Sequence, residues 1–373
     1  RMKKSLIALA ALSAVAGAAQ AQSSVEIYGI LDMSYSQVES KGSGTSVKLN
    51  SLGGQNSVNG SGVLNGTRLG FRGTEDLGAG QKASFVVEFG LFPSEKTNGS
   101  NASSAMRIRT SYVSYASANA GEVQLGRVYT PLWRTYNGEY DPGLGNNVVG
   151  YVFNQNGSGS RQANAIQYIS PAFNGAKAYV MKGFGQTKTK EGTASSTDTG
   201  QKLDEVTSYA LEYRNGPVSA NYGYEKTKNH TLHDLTWVNV NQDALADSMQ
   251  LVGRGAAGTM GQSSTVGSPD TVATGLAAAY NFGVAKVAYM NNKMTLKGET
   301  GWNGGADLSV KANGLTVSVP VGAATLWAMS SKAENDASSA VTAKATQFGA
   351  RYALSKRTDV YLITGKADIT KAG

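Results

Sequence analysis

Residues 106–112 read MRIRTSY, and they impose a double alternation. Successive side chains of an extended chain point to opposite faces. Met106, Ile108, Thr110 and Tyr112 therefore share one face, and Arg107, Arg109 and Ser111 share the other. The pattern recurs along the chain. In TRLGFRG, Leu69 and Phe71 oppose Arg68 and Arg72. In QKASFVVEFGLF, Phe85, Val87, Phe89 and Leu91 oppose Lys82, Ser84 and Glu88. In TSYALEYR, Tyr209, Leu211 and Tyr213 oppose Ser208, Glu212 and Arg214. In TQFGARYAL, Phe348, Tyr352 and Leu354 oppose Gln347 and Arg351. So many charges on one face are incompatible with a dry core, where an unpaired charge is prohibitively costly. Lipid on the apolar side and a wet lumen on the other satisfies both faces. This predicts that Met106, Ile108 and Tyr112 face lipid or a neighbouring subunit, with Arg107 and Arg109 lining the lumen.

The connections sort into two kinds. Short turn signals lie at Leu77–Gly80, Asn119–Gly121, Pro171–Gly175, Asn215–Pro217, Asn281–Gly283, Pro320–Ala323 and Ser355–Arg357, each flanked by alternating segments as a hairpin requires. Long polar stretches, rich in Gly, Ser, Asn and Thr, occupy roughly Gln37–Asn65, Pro93–Ser104, Thr130–Ser160, Gln186–Asp204, Lys226–Asp270, Asn292–Gly305 and Lys332–Ala343. Short turns at one end and long loops at the other is the asymmetry of an outer-membrane barrel. Seven turns join fourteen strands, and SVEIYGILDMSYS, from Ser24, adds a fifteenth. Bacterial single-chain barrels have an even strand number, and an open edge in lipid leaves backbone groups unpaired. The expected fold is therefore an all-β transmembrane antiparallel β-barrel of 16 strands, with the C-terminal strand missing from this chain.

The first 21 residues read as a leader. Arg1, Lys3 and Lys4 precede an apolar run, Leu6 to Ala18, and Ala19-Gln20-Ala21 matches a small-x-small cleavage site. This divides the chain into a signal peptide, 1–21, and a barrel domain, 22–373. The leader carries three of the basic groups and none of the acidic ones, so the formal charge of +8 falls to 8 − 3 = +5 in the mature chain. There are no cysteines, which removes thiol and disulfide chemistry. The two histidines, His230 and His233, sit in a polar segment that suggests no third metal ligand, so neither a metal nor a cofactor is expected. Beyond the leader no apolar run is long enough for a membrane helix. Composition agrees with strands: 46 Gly and 18 Tyr accompany only 7 Pro.

The segments SVEIYGILD, TRLGFRGTEDLGAG, GEVQLGRVYTPLW and NAIQYISPAFNG resemble the general porins of Gram-negative bacteria, in their β-proteobacterial form. The resemblance implies a homotrimer in the outer membrane, in contact with its lipid and lipopolysaccharide. It implies passive diffusion of small hydrophilic solutes and ions, a third loop folded inward to narrow the pore, and a terminal aromatic residue absent here. It also implies a row of basic residues on the barrel wall. Arg68 in TRLGFRG matches a wall arginine of the second strand, Arg109 in RTSYV one of the fourth, and Arg161 in RQANAIQY one at the start of the sixth. Alternation also places these three inward, with Ile166 and Tyr168 fixing the outward face for Arg161. Arg72 and Arg107 reinforce the same wall. The acidic partners on the third loop would be Glu139 and Asp141, in YNGEYDPG, although the enterobacterial acidic motif is not reproduced. Ile30 stands where that pattern has a lysine. Arg127 has outward parity with Val123 and Leu125, and its family counterpart lies near the trimer contact.

A weakly anion-preferring diffusion channel is the leading expectation, because charged rings at a constriction set ionic selectivity. The alternative is a substrate-specific outer-membrane channel for organic acids, phosphate or sugars, whose specificity would lie in loop geometry. An enzyme is disfavoured, since no histidine is held by a strand beside a nucleophile. A plugged TonB-type transporter is disfavoured, since no plug domain is expected ahead of the first strand; no GxGxxG or P-loop element is present, and the modest basic charge needs no nucleic acid.

Overall fold

The computed structural model describes residues 24–42, 45–52, 64–91, 106–136, 139–142, 160–187, 202–228, 270–298, 306–336 and 341–371. The leader, 1–21, and both histidines lie outside the described residues. The strands in chain order are β1 (Ser24–Ile30), β2 (Tyr35–Gly42), β3 (Thr45–Leu52), β4 (Arg68–Gly78), β5 (Gln81–Leu91), β6 (Met106–Ser117), β7 (Gly121–Tyr129), β8 (Arg161–Ile169) and β9 (Ala176–Thr187). They continue as β10 (Lys202–Asn215), β11 (Val218–Lys228), β12 (Thr271–Asn281), β13 (Lys286–Leu296), β14 (Leu308–Val321), β15 (Ala324–Asn335), β16 (Val341–Ala353) and β17 (Asp359–Lys371).

Among the described residues β1 and β4–β17 form one antiparallel sheet of 15 strands, each paired with its neighbour in sequence. That up-and-down order is the order of a barrel wall. The two edges approach each other: Tyr361 of β17 donates its hydroxyl to Asp32 Oδ1, just beyond β1, at 2.7 Å. Asp32 is itself fixed on the β4 side, accepting from the Asn65 amide at 2.6 Å.

All seven short connections stand where the turn residues put them. Gly216 (φ +55) and Gly322 (φ +59) open two-residue turns, a position that demands left-handed backbone. The long connections differ in two respects. Part of the stretch read as the first loop folds as a hairpin of its own, β2 with β3. The last long loop is short, because β15 and β16 extend to Asn335 and from Val341.

The alternation holds along β10 and β16. Leu211 and Phe348 are exposed on the outer face, while Ser208 and Gln347 are buried on the inner one. It fails within β6, and Tyr112 is corrected. Glu88 pairs with Thr110 but Phe89 pairs with Ile108, so Arg109 is an extra residue, a β-bulge. One inserted residue reverses the parity of everything after it. Met106 and Ile108 face outward as expected. Thr110 turns inward, and Tyr112 packs on the inner side beside Val128, Ala165, Met181 and Val206. Val113 and Tyr115 take the outward positions instead.

The inner face is uneven around the sheet. Charged and amide side chains occupy it on β1 and β4–β8. From β12 onward apolar residues join it, among them Met290, Met294, Trp327 and Met329, packed in one buried cluster with Leu132 and Tyr140, beside buried amides such as Asn292 and Gln347.

Candidate functional site

Register assembles the basic wall. Tyr28, Gly70, Glu88 and Thr110 lie directly opposite one another across β1, β4, β5 and β6. Gly70 leaves room for the Tyr28 ring, since a Cβ there would come within 2.3 Å of it. The phenol can therefore lie across the strand and donate to Glu88 Oε2 at 3.2 Å. Glu88 is the hub, 6% exposed. Its Oε1 accepts from Arg109 Nε at 2.6 Å, and Arg68 Nη1 stands 3.8 Å from Oε2. Arg109 passes over two glycines, and a Cβ on Gly66 would meet its Nη1 at 2.9 Å.

Tyr129 extends the cluster to β8. Its hydroxyl accepts from Arg109 Nη2 at 3.4 Å and from Arg161 Nη2, and the Arg161 guanidinium lies 4.2 Å over its ring. Sequence alternation alone does not carry Arg161 there, because a second register shift separates Gly126 from Val128, with Asn164 at φ +56 on the facing strand. Lower on the wall, Arg72 makes a two-pronged contact with Glu26, at 2.8 and 2.9 Å, and stands 5.1 Å over the Tyr28 ring. Arg107 is exposed opposite Gly90. On this wall Glu88 pairs with Arg68 and Arg109, and Glu26 pairs with Arg72. Arg127 lies off it, donating from Nε to the Arg109 carbonyl at 3.1 Å.

The described part of the third long connection, 130–136 and 139–142, lies against the inner faces of β10, β11 and β12. A short 3-10 turn, Leu132–Tyr136, crosses Gly223 and Gly275. A Cβ on Gly223 would sit 2.9 Å from the Leu132 backbone, and one on Gly275 would sit 2.5 Å from Thr135 Oγ1. Glycine at these two inward positions is what allows so close an approach. The segment is then pinned along its length. The Leu132 amide donates to Ser208 Oγ at 3.3 Å. The Arg134 guanidinium lies 3.9 Å over the Tyr179 ring. Tyr140 accepts from Asn221 Nδ2 at 2.7 Å. Burial holds the Tyr140 hydroxyl above its ordinary pKa, and the Glu139 carboxylate adds to the effect against the opposing bonds with Ser219 and Asn221.

The structure therefore brings Arg68, Arg109 and Arg161 together, with Arg72 and Arg107 on the same wall. Glu139 does not reach that cluster: its carboxylate forms an ion pair with Arg214 of β10. Asp141 is buried beside Tyr140 in the same segment. The carboxylate between Arg68 and Arg109 is Glu88, whose inward parity was legible but whose partners depended on register. Tyr129 was not singled out from the sequence, and Arg214 was read from alternation only as an inward position, with nothing to mark Glu139 as its partner. Among the described residues no group of histidines, cysteines and carboxylates could hold a metal ion. The arrangement fixes cations on one wall.

Residues 8–371 match the family model of the Gram-negative porin. The chain is 34% identical over 332 residues to outer membrane porin protein 32 of Delftia acidovorans, covering 86% of this chain and 77% of that protein. It is 32% identical over 235 residues to an outer membrane porin protein of Bordetella pertussis, covering 60% of each. Among solved structures, the anion-selective porin from Comamonas acidovorans superposes with a TM-score of 0.66 at 25% identity, covering 94% of this chain and 90% of that one.

Proposed function

The chain belongs to the Gram-negative porin family and is an outer-membrane protein, and from that premise we propose that it forms a water-filled channel for passive diffusion of small hydrophilic solutes and ions, with a weak preference for anions. The observation that carries the reading is the wall cluster of Arg68, Arg109 and Arg161, in which a single carboxylate, Glu88, offsets three guanidinium groups. Fixed charge at a narrow passage raises the local concentration of the opposite ion. The similarity to a solved anion-selective porin supports the sign. In this reading the third loop, held to β10–β12 by Leu132, Glu139 and Tyr140, narrows the lumen. The Glu139–Arg214 pair anchors the loop, and Asp141 lies buried in it, so neither acid stands free against the arginines.

Assembly is part of the proposal. Residues 1–21 act as a cleaved leader, a sixteenth strand closes the barrel between β17 and β1, and three copies associate in the outer membrane among its lipid and lipopolysaccharide. The channel transports without catalysis and without a cofactor. The test is the reversal potential under a KCl gradient in planar bilayers. Replacing all three arginines (Arg68→Gln, Arg109→Gln, Arg161→Gln) is expected to move it toward cation preference while conductance persists. An unchanged reversal potential would remove the cluster from selectivity.

A further inference from the structure

Arg134 is a lumen cation that the wall cluster does not include. It sits in the 3-10 turn Leu132–Tyr136, at the start of the third long connection. The turn crosses the inner faces of β11 and β12, but the Arg134 guanidinium lies over β9, 3.9 Å from the centre of the Tyr179 ring. Arg68 and Arg161 open β4 and β8 at their long-loop ends. Tyr179 lies opposite Ile169, the last residue of β8, at the short-turn end. Arg134 is therefore displaced from the wall cluster along the lumen, toward the short turns.

The inward charges at the short-turn ends of β4, β5, β9 and β10 are matched. Register sets Asp76 opposite Lys82 and Glu212 opposite Lys177. Arg214 pairs with Glu212 at 3.1 Å and with Glu139. Glu122 is the remaining inward acid at this end of β4–β10, and it accepts from Gln124 Nε2 at 2.9 Å. Among the described residues Arg134 has no carboxylate within ion-pair distance, and its buried Nε makes no hydrogen bond. The face of the Tyr179 ring attracts the cation but carries no net charge to neutralise it. A guanidinium laid flat on a ring keeps its N–H edge in the ring plane, and that edge is the one that takes carboxylate or phosphate oxygens.

We propose that Arg134 is a second anion station, on the short-turn side of the Arg68, Arg109 and Arg161 wall, where a small inorganic or carboxylate anion that leaves the wall is held before it exits. Conduction through a selective passage needs binding that is favourable enough to enter and divided among sites so that the ion can leave. A lone wall cluster holds an anion without a next step. A fixed guanidinium further along the lumen supplies one, and the stack on Tyr179 keeps it in place without a carboxylate that would compete with the anion. The proposal rests on the reading of the chain as an anion-preferring channel.

The test exploits the absence of native cysteines. The full-length Arg134→Cys chain is inserted into planar bilayers, and the reversal potential is read in a dilute KCl gradient. The reading is repeated after methanethiosulfonate reagents that attach an ammonium or a sulfonate group to the thiol. One elementary charge about 4 Å from a passing ion in water changes the local concentration of that ion by about fivefold. The chloride-over-potassium permeability ratio of Arg134→Cys is therefore expected to fall by up to about fivefold. The ammonium reagent is expected to restore it, and the sulfonate reagent to lower it further. Lys311→Cys, exposed on the outer face of β14, is expected to keep the unaltered ratio with either reagent. A ratio that Arg134→Cys and both reagents leave unchanged, in a channel that still loses its preference when Arg68, Arg109 and Arg161 are replaced, overturns the station and leaves the wall reading standing. An unaltered chain without chloride preference overturns the wall reading, and the station with it. If Arg134→Cys forms no channels, Arg134→Lys and Arg134→Gln decide the matter: only the lysine variant is expected to keep the ratio, and equal ratios in the two overturn the station.

Discussion

Replacing Glu88 by Gln should separate the two roles its carboxylate plays. Glu88 accepts from Arg109 Nε at 2.6 Å and from the Tyr28 hydroxyl at 3.2 Å, and stands 3.8 Å from Arg68. Glutamine keeps the shape and one acceptor but loses the charge. At an effective dielectric constant of about 20, a unit pair 3.8 Å apart attracts by about 4 kcal/mol before desolvation is subtracted. Much of that is cancelled, because both ions were dehydrated to meet. A charge-assisted hydrogen bond retains a net value of about 1.5–3 kcal/mol, and Glu88→Gln should destabilise the folded barrel by about that amount. The heat-induced mobility shift on gels measures it. The same substitution leaves Arg68, Arg109 and Arg161 without their shared carboxylate, so the reversal potential should move toward stronger anion preference. The change should be clear at 0.1 M salt, where the Debye length is about 10 Å, and largely lost at 1 M, where it is about 3 Å. A stably folded Glu88→Gln channel with unaltered selectivity at low salt would refute the electrostatic reasoning.

Other outcomes follow from the same geometry. Gly223→Val should push Leu132 off the wall, at an overpacking cost of about 1–3 kcal/mol; single-channel conductance should change, and wild-type conductance would show that the segment does not sit in the ion path. Ile108→Arg and Val113→Arg should both depress insertion into lipid, because Arg109 is a bulge and both side chains face outward. An arginine on the lipid face costs about 2–4 kcal/mol near the midplane, whereas a strictly alternating strand would tolerate one of the two, so normal insertion of Val113→Arg would contradict the bulge. Tyr140 titrates above its ordinary value because it is buried. Its contribution is therefore complete below the unfolded pKa of about 10 and is lost as pH rises from there toward the folded value. Tyr140→Phe should flatten the loss of thermal stability above that pH, as followed by the same gel shift.

The sequence by itself determined the strands, their order and most of their faces. Alternation of Leu211 against Glu212, or of Phe348 against Gln347, is a local property of an extended chain, so it can be read without knowing any partner. The turn residues are equally local: Gly216 and Gly322 mark their turns because few other residues adopt that backbone. The inward placement of Arg68 was legible for the same reason. Tertiary structure alone decided what depends on register between strands. Nothing in MRIRTSY announces that Arg109 is an inserted residue, because a bulge is defined by the facing strand, here by Glu88 pairing with Thr110 and Phe89 with Ile108. That single offset turns Tyr112 inward. The partners of the charges are hidden likewise. Glu88 gathers Arg68 and Arg109, while Glu139 goes to Arg214, because chain segments distant in sequence are brought side by side.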